Sequence, residues 1–155
     1  MSGGTDGKTR LRLWLRLLTC SGLVERTVRR RLRQEFAATL PRFDLMAALE
    51  RAPDGLTMGE LSQRLKVSNG NVTGVVERLV REGQVERTAL PTDRRSYRVA
   101  LTAAGRAAFA AMAERHAGWI DRLFGDLSDG EVEQLMGLLG RLRQTLESNG
   151  QEARS

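Results

Sequence analysis

The residues with most chemistry to offer lie between Asp93 and Thr102, in the run Asp-Arg-Arg-Ser-Tyr-Arg-Val-Ala-Leu-Thr. Arg94, Arg95 and Arg98 fall within five positions behind one carboxylate, just after Pro91 and Thr92, a pair suited to a turn. Tyr97, Val99 and Leu101 then alternate as a strand does. A two-stranded finger tipped with guanidinium groups suits the gripping of phosphates, because arginine's planar fork meets two phosphate oxygens at once.

Composition points the same way. The chain has 155 residues and a net charge of +6, and Lys8 and Lys66 are the only lysines among its 25 basic residues. That length favours one domain, or one domain with an appended oligomerisation element. An arginine-dominated basic surface leans toward nucleic acid or an anionic ligand, the bland alternative being a solvated basic face. With Cys20 the sole cysteine and His116 the sole histidine, an intramolecular disulfide and the usual Cys/His zinc sites are excluded. No Ser/His/Asp set, phosphate loop or dinucleotide fingerprint is present, so neither an enzyme nor a cofactor is expected. No apolar run approaches the roughly 18 residues of a membrane span, and the first ten residues lack the apolar core of a secretory signal. A cytoplasmic location without membrane attachment is the expectation.

The elements that would position the arginines follow from periodicity and caps. Residues 1–8 are expected to be a flexible tail. A first helix over 9–38 has Leu11, Trp14, Leu18, Val28, Leu32 and Phe36 on one stripe and Arg26, Arg29, Arg30, Arg31 and Arg33 elsewhere. Thr39 and Pro41 open a second helix, with Leu45, Met46 and Leu49 inward, stopped by Pro53-Asp54-Gly55. Thr57-Met58-Gly59-Glu60 has capping-box spacing for a short third helix. Ser68 caps a fourth, running to Glu82 through Val72, Val75, Val76, Leu79 and Val80, and Gly83 ends it. Strands over 84–88 and 96–101, joined by a turn over 89–95, make the hairpin. Thr102 caps a long helix to about Phe124, and Ser128-Asp129-Gly130-Glu131 opens a last one with Val132, Leu135, Leu139, Leu142 and Leu146 at heptad spacing. Residues 149–155 are expected to fray. The fold class is mainly α with a small β-hairpin (α+β): a winged helix-turn-helix over 39–102 between outer helices at 9–38 and 103–148.

In the fourth helix Ser68, Asn69, Gly70, Asn71 and Thr73 crowd the first turns with short polar residues. Asn pairs twice with adenine, and Thr offers its methyl to thymine. Gly70 and Gly74 suit close approach to a duplex, although the same run also reads as a plain capping turn. Arg78 lies two turns on, within reach of a phosphate, and Thr57 opens a helix whose free N–H groups suit another.

The wing residues Asp93, Arg95, Arg98, Leu101 and Thr102, with Gly105 behind them, match the wing signature of the MarR-type bacterial regulators, Asp-x-Arg-x-x-Arg-x-x-Leu-Thr. The likeness runs from about Leu11 to Leu146, because the helix order agrees as well. The resemblance implies a homodimer in which the first helix and the last two interlock as dimerisation helices, with each winged lobe on one half-site of a double-stranded DNA operator. It implies that Arg94 and Arg95 reach into the minor groove and that Asp93 orients a guanidinium. Independently, apolar stripes on the first and last helices exceed what a lobe of some 60 residues can cover.

The runs Thr39–Leu45, Asp54–Leu61 and Ser68–Thr73 are similar to the branch that answers hydroxycinnamoyl-coenzyme A thioesters. That implies repression released by a small aromatic effector, with Arg26, Arg29, Arg30 and Arg33 for its phosphates. Trp14, Leu18, Phe43, Met46, Phe109, Met112 and His116 would line the slot for its aromatic head. The plain readings are a solvated face for the arginines and ordinary core for the apolar set. Free phenolic acids as effectors, oxidation of Cys20, and a winged-helix protein-interaction module that never meets DNA are the alternatives.

Overall fold

The computed structural model describes residues 6–65 and 69–152, and of residues 69, 70, 94 and 152 the backbone alone. The elements run α1 (Gly7–Phe36), α2 (Leu40–Glu50), β1 (Leu56–Thr57), α3 (Met58–Leu65), α4 (Asn69–Arg81), β2 (Val85–Leu90), β3 (Asp93–Leu101), α5 (Ala103–Leu123) and α6 (Asp129–Glu152). They form a mainly helical fold with a small antiparallel sheet, a winged helix. The chain divides into two compact units, one through Gly118 and one from Trp119 onward.

In the first unit α2, α3 and α4 enclose a core of Leu45, Met46, Leu49, Leu61, Val72, Val76 and Leu79, closed on the sheet side by Val85, Val99 and Leu101. Local chemistry sets most element ends. The Thr39 hydroxyl accepts from the Arg42 N–H at the start of α2. The capping box at Thr57 forms reciprocally, at 3.1 and 3.2 Å, so two donors at the start of α3 are satisfied at once. Helix α1 begins at Gly7, earlier than expected, because Asp6 caps it. It ends at Phe36, where Ala37 turns left-handed at φ 50° and its N–H bonds to the Arg33 carbonyl. That conformation usually goes to glycine, and Ala37 holds it at a cost of about 1 kcal/mol.

The sheet departs from a simple hairpin. Its order is β1-β3-β2, so β3 is central and the two-residue β1 pairs with it through Leu56↔Val99 and Thr57↔Arg98. Sequence periodicity has no means of revealing so short a strand. The strands of the wing are also longer than expected, because only Pro91 and Thr92 lie between β2 and β3. The ladder passes from Ala89↔Tyr97 to Leu90↔Asp93, so Arg94, Arg95 and Ser96 bulge from β3 with no partners on β2. Such bulges bend a strand and re-aim its side chains.

A joint holds α4, the sheet and α5 together. Gly83, at φ +71°, ends α4's turn. Its carbonyl accepts from the Thr102 hydroxyl at 2.7 Å, and the Gln84 carbonyl accepts from the Thr102 N–H at 3.0 Å. The same hydroxyl accepts from the Gly105 N–H at 3.0 Å, capping α5. Gly105 is packed so closely that a Cβ would collide with the Gln84 carbonyl oxygen.

In the second unit, Ser128 and Glu131 form the expected capping box. Helix α6 continues to Glu152, past the fraying expected from residue 149, since Asn149 and Gly150 each weaken a helix by only about 1 kcal/mol. Leu135, Met136, Leu138, Leu139, Leu142 and Leu146 along α6 are all exposed. In the first unit the N-terminal half of α1 similarly exposes Leu11, Leu13, Trp14, Leu15 and Leu18.

Substituting Gly105→Ala is expected to destabilise the protein by about 3 kcal/mol or more, because backbone rather than a flexible side chain must move. Chemical denaturation measures it, and a loss under about 1 kcal/mol would show the joint to be slack.

Candidate nucleic-acid interface

The wing arginines are held from their base. The Asp93 carboxylate accepts from the Arg95 N–H at 3.0 Å and from the Ser96 hydroxyl at 3.2 Å. One oxygen thus ties down the backbone of the bulge and the other holds the Ser96 side chain. Arg95 is left exposed at the tip. The Arg94 side chain lies outside the described part of the chain. Arg98 is different: it is half-buried, and its guanidinium donates to the Gly55 carbonyl at 3.4 Å, bracing β3 against the loop before β1. Arg87, absent from the sequence reading, stands exposed on β2 with its guanidinium 5.0 Å from the Tyr97 ring centre. Such stacking restrains a long side chain while leaving its donors free.

Helix α4 turns Val72, Val76 and Leu79 into the core and leaves Asn71, Gly74, Glu77, Arg78 and Arg81 exposed. Thr73 is half-buried. Ser68 lies outside the described residues, and of Asn69 and Gly70 the backbone alone is described. Arg81, seven residues and two turns from Gly74, shares its outermost stripe and went unremarked in the sequence. Beyond its chain neighbours and the backbone of α4 itself, no atom of the described residues lies within 4 Å of where a Cβ on Gly74 would sit, so packing there does not require a glycine. Thr57 is committed to its capping box.

Arg42 on α2 links this surface to the lobe behind it. It pairs with Glu82 and donates to the Gln84 side chain at 3.0 Å, and Glu82 also pairs with Arg78 at 3.4 Å. The Arg42 hydrogen bond, more than any other influence, holds the Glu82 carboxyl below its usual range. Arg42 was read from sequence only as part of a family run, because its partners lie about 40 residues away.

Of the residues proposed for an effector, Arg29 and Arg33 line a cavity of about 510 Å³ together with Arg42, Asn71 and Arg78. Arg26 and Arg30 are exposed and apart from it. Arg29 pairs with Glu25 and Arg31 with Glu35, both at 3.6 Å, so the face is partly the solvated ion-pair surface of the plain reading. Phe43, Phe109 and His116 do cluster, with Phe43 5.5 Å from Phe109 and 4.7 Å from His116 between ring centres. Burial lowers the His116 pKa against the pull of Asp44, and burial with Glu25 nearby raises that of Asp44. Met46 and Met112 are enclosed in the core, whereas Trp14 and Leu18 stay 54% and 47% exposed on α1, so the slot drawn from sequence is not assembled as one wall in the single chain.

Residues 39–96, which carry this surface, match the MarR family model. Over 139 residues, 86% of this chain and 79% of the other, the sequence is 30% identical to the transcriptional activatory protein BadR of Rhodopseudomonas palustris. The chain belongs to the MarR family. A MarR family regulator from Silicibacter pomeroyi superposes with a TM-score of 0.73 and 38% identity, covering 93% of this chain and 99% of that one. A cysteine-to-serine variant of MarR from E. coli, complexed with operator DNA, superposes with a TM-score of 0.73 and 26% identity over 89% of this chain and 99% of that one. This MarR-family protein is accordingly a DNA-binding transcriptional regulator. Among its described residues no helix is long and apolar enough to cross a membrane, and no cluster of three His, Cys, Asp or Glu side chains could hold a metal ion.

Two substitutions separate grip from scaffold. Arg95→Ala is expected to weaken duplex binding at least tenfold with the thermal midpoint unmoved, whereas Arg98→Ala lowers the midpoint because it frees the Gly55 carbonyl. Fluorescence anisotropy and thermal melts on both variants check this, and an Arg95→Ala protein with native affinity contradicts it. Gly74→Ala is expected to stabilise α4 by up to about 1 kcal/mol while weakening duplex binding; unchanged binding would show that no duplex comes close there.

Proposed function

We propose that two copies of this chain bind a palindromic operator as a homodimer and that a small aromatic effector releases them. Residues 39–102 act as the DNA-reading lobe, and residues 9–38 and 103–148 carry the dimerisation helices. Helix α4 enters the major groove with Asn71 and Thr73 toward base edges and Arg78 toward a phosphate. Arg94 and Arg95, with Arg87 beside them, work from the wing in the adjacent minor groove. Two recognition helices roughly 34 Å apart would meet successive major grooves on one face of the duplex.

The observation that carries this reading is the exposed Arg95 in a bulge lashed by Asp93, on the same lobe as a helix with an open, polar outer stripe. The dimer is supported by the apolar faces that α1 and α6 leave to solvent, far more than a monomeric surface ordinarily exposes. Repression is the proposed sign of control. For the effector, the Phe43–Phe109–His116 cluster favours an aromatic group, and the arginines of α1 favour an aromatic acyl thioester of coenzyme A over the free acid. An effector that prefers a different lobe spacing would draw the population away from the operator.

The logarithm of operator affinity is expected to fall with the logarithm of salt concentration with a slope of about −4 or steeper, as when five or more phosphates are neutralised. A flat dependence in an anisotropy titration points instead to a protein-interaction module. Placing Glu at both Leu139 and Leu142 is expected to give a monomer in sedimentation velocity, and a dimer that survives it removes α6 from the interface.

A further inference from the structure

We propose that Glu77 is a specificity-determining residue of α4, its carboxylate accepting a hydrogen bond from the exocyclic amine of one cytosine in the major groove. The proposal rests on the DNA-reading role given to α4 above and names the base that one position of each half-site carries.

Between Met58 and Leu101 the chain has five carboxylates, and four of them have a task or an aspect that keeps them from a duplex. Glu60 caps α3, Asp93 lashes the wing bulge, and Glu82 is shared by Arg42 and Arg78. Glu86 precedes Arg87 on β2 and so points to the opposite side of the sheet. Glu77 is exposed and makes no side-chain hydrogen bond or ion pair among the described residues. Arg81 stands four residues on, in the order and spacing that best pair a glutamate with a cation on a helix. The same arrangement closes to 3.6 Å between Glu25 and Arg29, whereas Glu77 and Arg81 stay apart.

The core fixes the side of α4 on which this carboxylate stands. Val76 and Leu79, on either side of Glu77 in the chain, are buried, so Glu77 is turned outward with Gly74 and Arg81. Gly74 lies three residues back, about 4.5 Å along the axis at 1.5 Å per residue. Where a side chain would stand at Gly74 there is open space. A base edge admitted over Gly74 therefore meets the carboxylate within one helical turn.

An ionised carboxylate accepts hydrogen bonds and donates none. The donors of a major groove are the amines of cytosine and adenine, whereas guanine N7 and O6 and thymine O4 are acceptors that repel it. Adenine also sets its N7 acceptor beside the amine, and cytosine shows the amine alone, so cytosine suits Glu77 best. A carboxylate among phosphates weakens binding to every sequence, and the exposed Arg78 and Arg81 supply attraction against that loss. What the acid adds is discrimination, by penalising the wrong base as much as by holding the right one.

The test selects duplexes from a randomised pool with the full-length protein and with Glu77→Gln and Glu77→Ala. Anisotropy then gives affinities for each selected site and its single-base variants. The unaltered protein is expected to select one cytosine in each half-site whose change to guanine or thymine weakens binding by about tenfold or more. Glu77→Ala is expected to lose that preference and keep every other one. Glu77→Gln is expected to move it to adenine, whose N6 and N7 match an amide's acceptor and donor. An unchanged cytosine preference in Glu77→Ala overturns the proposal. So does a uniform gain in affinity with every preference kept, which would make the carboxylate a repeller of phosphates and nothing more. A protein that binds no duplex refutes the DNA-reading role itself, whereas a selected site indifferent to Glu77 leaves that role standing and refutes this residue's part alone.

Discussion

Everything that faces outward from the first unit is registered by one close approach, the seating of α5's first turn against the Gln84 carbonyl. Only a residue without a Cβ allows it, and Gly105 occupies that place. Thr102 completes the joint by engaging Gly83 and Gln84 while capping α5. The end of α4, the start of β2, the end of β3 and the start of α5 are thereby fixed within a few residues of one another. With both strands and α4 anchored there, the wing tip and the outer stripe of α4 hold a set spacing across the lobe.

Charge is organised around a second centre, Arg42. Being half-buried, it is a costly cation unless paired, and Glu82 and Gln84 satisfy it. Glu82 extends the pairing to Arg78, so a core-facing arginine and a surface-facing one share a counterion. Behind them, the arginines of α1 approach the same cavity with less compensation. The lobe thus carries arginines on its outer surface and around the recess lined by α1, α2 and α4.

The parts of this design legible in the sequence are those whose causes lie within a few residues. The Thr57/Glu60 and Ser128/Glu131 boxes, the Thr39 cap, the stop at Gly83 and the wing signature are local chemistry, and each forms. The parts that stayed hidden join distant residues. Strand β1 exists only because Leu56 meets Val99, the bulge at Arg94–Ser96 only because Leu90 pairs with Asp93. Arg98 reads as one more wing cation until its contact with Gly55 is seen. Of the apolar residues expected to line an effector slot, Phe43, Phe109 and His116 do meet, and Trp14 and Leu18 stay exposed on α1, because helical spacing says which residues share a face, not which faces meet.

The shared carboxylate of Glu82 also has a kinetic meaning. Arg78 does not wait in solution as a bare cation, since its charge is already answered by a neighbour on the next turn. On the proposed reading, a DNA phosphate arriving at Arg78 would exchange one anion for another, and Glu82 would stand ready to receive the guanidinium when it leaves. Exchange of this kind would lower the net gain from the contact and the barrier to breaking it. Such an exchange would shorten the dwell time on any one stretch of duplex and let the protein sample many before it stops.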